Sequence, residues 1–184
     1  MLVTNILFKM NTNSKFIVAT HILVLLAVKK EYFGVECSTS SELLTESVNT
    51  NPVVIRRILG VLNKAGIIHS KSGPKGGSVL AHQPRDITLD MIYHAFENDG
   101  SLFHFHYQQP NYSCPVGANI KSALSAIISP LNKLLSEYLS KITLQEIMDD
   151  TFRRSGILKY LDAGKTPIEI EKMISSGRIK LKTN

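Results

Sequence analysis

Between Phe16 and Val28 the chain is apolar except at Thr20 and His21, and this run constrains the fold more than any other feature. A bilayer core needs roughly 18 to 20 consecutive apolar residues, so the run is too short to span one. A helix that is apolar on every side must instead be enclosed by protein, which makes this segment the expected centre of a core. Asn13 or Ser14 can cap the helix. Lys29 and Lys30 mark its end, where cations suit the helix dipole, and Gly34 closes the turn. With 184 residues, 43% of them hydrophobic and 20% charged, the chain suits one globular domain plus an appendage and not a disordered or repetitive sequence. Met1 to Lys9 lack the ordered regions of a secretory signal, and Met10 is an alternative start. Cys37 and Cys114 are too few for a disulfide scaffold, so the expectation is reduced thiols, a cytoplasmic location and no membrane association.

Punctuation of the next fifty residues sets the local order. Thr39-Ser40-Ser41-Glu42 has capping-box spacing and opens a short helix carrying Leu43, Leu44 and Val48. Asn49-Thr50 is a turn, Asn51 is the expected cap of a third helix, and Pro52 fits its first position. In that helix Ile55, Ile58, Leu59 and Leu62 form one buried stripe, leaving Val53, Arg56, Arg57, Asn63 and Lys64 on other faces. Gly66 terminates it. Residues 67–70 and 78–81 are β-prone and flank Lys71-Ser72-Gly73-Pro74-Lys75-Gly76-Gly77, a hairpin with a basic, glycine-rich tip. Helix, short helix, turn, helix and basic hairpin, in that order, predict a mainly α winged helix-turn-helix with a two-stranded β wing. A major groove about 12 Å wide admits one helix, while a wing can follow the backbone or minor groove.

Charge is distributed unevenly along this order. The formal net charge is +6, and residues 51–85 alone carry six basic side chains (Arg56, Arg57, Lys64, Lys71, Lys75 and Arg85) with no Asp or Glu. Residues 152–184 carry a further surplus of five, so the remainder of the chain is net acidic. A solvated face is the plain reading of a charge run, but 35 residues without an acid favour contact with phosphate.

Ser47-Val48-Asn49-Thr50-Asn51-Pro52-Val53-Val54-Ile55-Arg56-Arg57-Ile58-Leu59, Leu62-Asn63-Lys64-Ala65-Gly66-Ile67-Ile68 and Ser70-Lys71-Ser72-Gly73-Pro74-Lys75-Gly76-Gly77 strongly resemble the Rrf2 family of bacterial transcription regulators. The likeness runs from about Lys15 to Glu97 and more loosely to about Asp150. It implies a homodimer that binds double-stranded DNA, usually as a repressor. The helix from Pro52 would lie in the major groove and the Gly73 to Gly77 wing on the flanking groove. Candidate DNA-contacting residues are Ser40, Asn51, Val53, Arg56, Arg57, Lys64, Lys71, Gly73, Lys75, Gly76 and Gly77. The best-known members hold an iron–sulfur cluster on three closely spaced cysteines before the dimerisation helix. Here that region has only Cys114, and Cys37 lies in the turn before the second helix, so the resemblance is to the cluster-lacking branch, with no cofactor or metal expected.

The second half supplies an expected dimer device. Ile120, Leu124, Ile127, Ile128, Leu131, Leu134, Leu135, Tyr138 and Leu139 recur at helical spacing, and three small helices cannot cover so wide a stripe. Pairing two such helices covers it and brings two readers onto a pseudo-palindromic site, with Ile120, Leu124, Ile127, Leu131, Leu134, Leu135 and Tyr138 at the interface. Packing on its own domain is the alternative, and Pro130 is expected to kink or split the helix. Thr143 and Glu146 have capping-box spacing for another short helix. Thr166 can cap a helix over Pro167 to Ile174, ahead of the basic end Arg178-Ile179-Lys180-Leu181-Lys182. The expected divisions are an extension over 1–13, the winged domain over 14–97 and a sensor or effector loop over 98–118. Dimerisation and packing helices over 119–155 and a basic extension over 156–184 complete them.

Cys114 precedes a helix N-terminus, whose partial positive charge favours a thiolate, so it and Cys37 are sensor candidates; the alternative for Cys114 is an inert, partly buried thiol. His104, His106 and Cys114 are possible soft-metal donors, and Phe103, Phe105 and Tyr107 either line an effector pocket or fill space under the dimer helix. Gly73 to Ser78 lacks the spacing and context of a nucleotide-binding P-loop, and no nucleophile elbow or catalytic triad order is present, which argues against an enzyme. The remaining alternative is a winged helix used only to bind protein. The effector, operator and target genes have no signature in the sequence.

Overall fold

The computed structural model describes residues 12–33, 39–71, 73, 76–97, 103 and 109–180. Helix α1 (Thr12–Phe33) is the central post, with Ala19, Ile22, Leu23, Leu26 and Ala27 buried. It extends one turn or less beyond both expected ends. Around it stand α2 (Ser41–Val48), α3 (Pro52–Lys64), strands β1 (Ile68–Lys71) and β2 (Gly77–Leu80), and α4 (Leu89–Phe96). The strands pair antiparallel with Ile68 opposite Leu80 and Lys71 opposite Gly77, one residue displaced from the expected limits.

Asn49 sits in the left-handed region at φ 53°, which asparagine tolerates well, and its amide hydrogen-bonds the Glu46 carbonyl to close α2. Asn51 caps α3 as expected, its Oδ1 accepting from the Val53 amide at 2.8 Å, with Pro52 in the first turn. The cap of α2 differs from expectation. Thr39 is buried and forms a two-bond antiparallel bridge with Ser78, which holds its backbone extended and moves the cap one residue on. Ser40 Oγ therefore accepts from the Leu43 amide, and with the Thr39 amide donated to Ser78 the Glu42 carboxylate accepts from Ser41 Oγ instead.

Helix α4 has no counterpart among the expected elements, although Thr88 caps it and Leu89, Ile92 and Tyr93 bury one stripe. Helix α5 (Pro115–Leu139) runs through Pro130 without being split. Both Pro130 and Ala126, whose carbonyl loses its partner, are exposed, so water can satisfy that carbonyl. Helix α6 (Leu144–Ser155) packs on α1 and adds Leu144 and Met148 to the same core. It is stitched there by the Leu144 amide to the Ile87 carbonyl at 2.8 Å and the Leu89 amide to the Ile142 carbonyl at 2.9 Å. The short α7 (Leu158–Asp162) was unforeseen, whereas α8 (Pro167–Ser175) follows the expected Thr166 cap. Among the described residues no helix is long and apolar enough to cross a membrane.

The Thr143–Glu146 capping box is complete, with the Glu146 amide bonded to Thr143 Oγ1 and the Glu146 carboxylate to the Thr143 amide. Thr143→Ala leaves that first turn uncapped. The expected loss is about 1 kcal/mol of stability, seen as a fall of roughly 2–4 °C in Tm by calorimetry.

Candidate nucleic-acid interface

The stripe that buries Val54, Ile55, Ile58, Leu59 and Leu62 fixes which side of α3 faces outward. On that side Arg56, Arg57, Gly60, Asn63 and Lys64 are exposed, and Val53 is half-buried at their edge. The wing is tied to this helix by the Ser70 amide, which donates to Asn63 Oδ1 at 3.0 Å, and is braced across its strands by Ser70 Oγ and Ser78 Oγ at 2.8 Å. Between α3, the start of α2 and the wing lies a cleft of about 710 Å³. Arg56, Lys71, Gly73, Gly76, Gly77 and Ser40 all border it.

Several expected contact residues are thus brought together, but not all are equally free. The side chains of Ser40 and Asn51 are occupied as helix caps. Lys75 lies outside the described residues. Among the described residues, Arg56, Arg57, Lys64, Lys71 and Arg85 enter no ion pair, so their charge is turned outward. The second basic segment is arranged differently. Arg153 and Arg154 share the Asp150 carboxylate at 3.2 and 2.6 Å, and Lys165 approaches Glu169. Asp150 lies outside the segment and offsets one charge of its surplus of five, whereas Glu169 is already counted within it. Glu42, which the charge reading of 51–85 did not include, borders the cleft as an acid. Its own backbone amide, the Ser40 and Ser41 hydroxyls and the charge of Arg56 hold its carboxyl below the usual range, so it is ionised at neutral pH.

Helix α5 buries none of its side chains. Its exposed apolar residues Ile120, Leu124, Ile127, Leu131, Leu134 and Tyr138 are spaced 4, 3, 4, 3 and 4 apart, the 3.5-residue repeat of a helix–helix seam. Ile127 is 68% exposed, Leu134 63% and Tyr138 66%, values that leave large apolar groups in water. Leu135, expected on the same face, is half-buried one position off the seam. Leu139 packs against the core, and Ser136 Oγ donates to Asp90 Oδ1 at 2.8 Å, fastening the end of α5 to α4.

Cys114 is exposed at the N-cap of α5. It makes no capping hydrogen bond of regular geometry, yet the Gly117 and Val116 amides face its sulfur and pull its thiol below the ordinary value. Cys37, His104, His106, Phe105 and Tyr107 lie outside the described residues, and Phe103 is exposed. Among the described residues no three His, Cys, Asp or Glu side chains are grouped to hold a metal.

Comparison with known proteins agrees with this architecture. The sequence profile of Rrf2, described as an iron-dependent transcriptional regulator, matches residues 12–150. A relative from Bacillus subtilis, provisionally named the HTH-type transcriptional regulator YwnA, is 38% identical over 140 residues, 76% of this chain and 98% of its own length. A solved structure provisionally described as a DNA-binding protein superposes with a TM-score of 0.57 at 34% identity, covering 73% of this chain and 99% of its own. CymR of B. subtilis, described as its global cysteine regulator, shares the fold at a TM-score of 0.54 and 21% identity, over 77% of this chain and 96% of its own. Helices α7 and α8 lie beyond the residues matched by the profile. Among the described residues no donor set fits the iron in the family's description. The chain has two cysteines, and the exposed Cys114 has no grouping of metal-binding side chains around it among the described residues.

Because two amides favour the Cys114 thiolate, its alkylation by iodoacetamide is expected to rise with pH at a midpoint below that of an unstructured cysteine peptide measured alongside. A Cys114→Ser variant corrects for Cys37. A midpoint at or above that of the peptide would contradict the assigned electrostatics.

Proposed function

The chain belongs to the Rrf2 family of transcriptional regulators, and from that membership we propose that it acts as a homodimeric repressor on a pseudo-palindromic operator. Helix α3 enters the major groove, with Arg56 and Arg57 reaching base edges, while Lys71 and the glycines of the wing lie on the flanking backbone or minor groove. The outward charge of Arg56, Arg57, Lys64 and Lys71, which enter no ion pair among the described residues, carries this reading. Net charge alone would not, since it does not say on which surface the charge lies. The seam on α5 supports a second copy as its cover, because a 3.5-residue apolar repeat in water is satisfied by a like repeat on a partner helix. No iron–sulfur cluster takes part. Release of the operator responds to a redox change at Cys114 or to a small ligand near residues 103–107.

Salt-dependent fluorescence anisotropy against duplexes selected from a random pool tests the assignment. Arg56→Ala/Arg57→Ala is expected to lose about 1–3 kcal/mol of binding to the selected duplex per base-reading arginine, with much less effect on random duplex. Lys71→Ala weakens all sequences about equally and flattens the salt slope by about one unit. Glu42→Gln removes a negative charge from the cleft and raises affinity for all sequences by about two- to fivefold. Absence of any salt-dependent binding by the unaltered protein would instead leave a protein-interaction module. Loss of binding on oxidation and its return with thiol supports the redox signal, and indifference to oxidation turns the search to a ligand.

A further inference from the structure

Gly60 stands near the middle of α3, where a helix disfavours glycine relative to alanine because glycine loses more backbone freedom. Among the described residues nothing explains it. A Cβ built at Gly60 meets no atom within 4 Å, and its φ is not in the left-handed region. The residue is exposed, and its position on the helix is specific. It lies four residues after Arg56, three after Arg57, three before Asn63 and four before Lys64, so each of these exposed side chains is its neighbour on the outward surface. It also borders the cleft that separates α3 from the wing. The bare point of this helix is therefore the centre of its basic surface, and the requirement for a missing side chain comes from outside the molecule.

We infer that Gly60 is a close-approach position, at which the sugar–phosphate backbone of one DNA strand, seated in the cleft between α3 and the wing, comes nearer to the helix main chain than any side chain would allow. The cleft has the chemistry for this occupant. Arg56 and Lys71 flank it with two positive charges against the one carboxylate of Glu42, and Gly73, Gly76 and Gly77 add backbone without side chains to a wing wall that also carries the hydroxyls of Ser70 and Ser78. The inference rests on the DNA-binding reading above and adds a steric determinant to an electrostatic one.

Gly60→Ala and Gly60→Leu separate the two. If the glycine serves an external surface, both variants keep or raise the thermal stability, with Gly60→Ala raising Tm by about 2–4 °C, since alanine is the better helix former. Affinity for the selected duplex falls about tenfold for alanine and further for leucine, while the salt slope stays that of the unaltered protein because no charge has changed. Undiminished affinity in both variants, with specific binding by the unaltered protein, overturns the inference and leaves the DNA-binding reading standing. A lowered Tm in Gly60→Ala overturns it as well, since the glycine would then serve the fold. Failure of the unaltered protein to bind any selected duplex removes the DNA-binding reading and the inference with it.

Discussion

Enclosure of α1 is the condition on which the rest of the molecule depends. Apart from an edge at Ile17 and His21 that stays in water, its apolar surface is wider than one stripe, so α2, α3, α4, α6 and β2 are all drawn around it. That arrangement decides the orientation of α3. Its buried stripe must meet α1 and its neighbours, which leaves Arg56, Arg57 and Lys64 pointing away. The same demand recruits α6 from the far end of the chain, through Leu144 and Met148, into the core that supports the winged surface. Helix α5 meets that core at Leu139, and along its middle the described residues leave Ile127 and Leu134 exposed.

Charge and apolar surface are thus separated onto different parts of one scaffold. Among the described residues the basic side chains of α3 and β1 face outward without an ion pair, with the Glu42 carboxylate beside Arg56, while Arg153 and Arg154 of α6 pair with Asp150 and Lys165 pairs with Glu169. Exposed pairs of this kind add little to stability. The seam on α5 places the apolar excess far along the chain from the basic side chains of α3 and β1. The two surfaces proposed above for pairing with a copy and for meeting an anion fall on different residues.

Most of this architecture is legible in the residues because local signals agree with the global fold. The Asn51 cap with Pro52, the Gly66 stop, the stripe of α3 and the capping boxes at Thr143 and Thr166 each involve side chains acting within four residues, and each appears as expected. The misreadings arise where distant chain intervenes. The capping-box spacing to Glu42 favours Thr39 locally, and the bridge to Ser78, thirty-nine residues away, moves the cap to Ser40. Pro130 reads as a breaker, but its cost depends on whether water reaches the Ala126 carbonyl, a matter of exposure. The division of the basic residues into free and paired sets, and the placing of Glu42 beside Arg56, likewise need three dimensions. Gly60 carried a local signal, a glycine inside a strongly patterned helix, whose meaning appears only once its surroundings are known to be empty.

The most direct measurement is the mass in solution of Ile127→Glu/Leu134→Glu, by light scattering, alone and with the selected duplex. Charges placed in the seam are expected to give a folded monomer of about 20 kDa where the unaltered protein has twice that mass. On the duplex the variant should bind weakly, one chain to each half-site without cooperation. A variant that remains a dimer, or an unaltered protein that is monomeric both alone and on the duplex, would contradict the account.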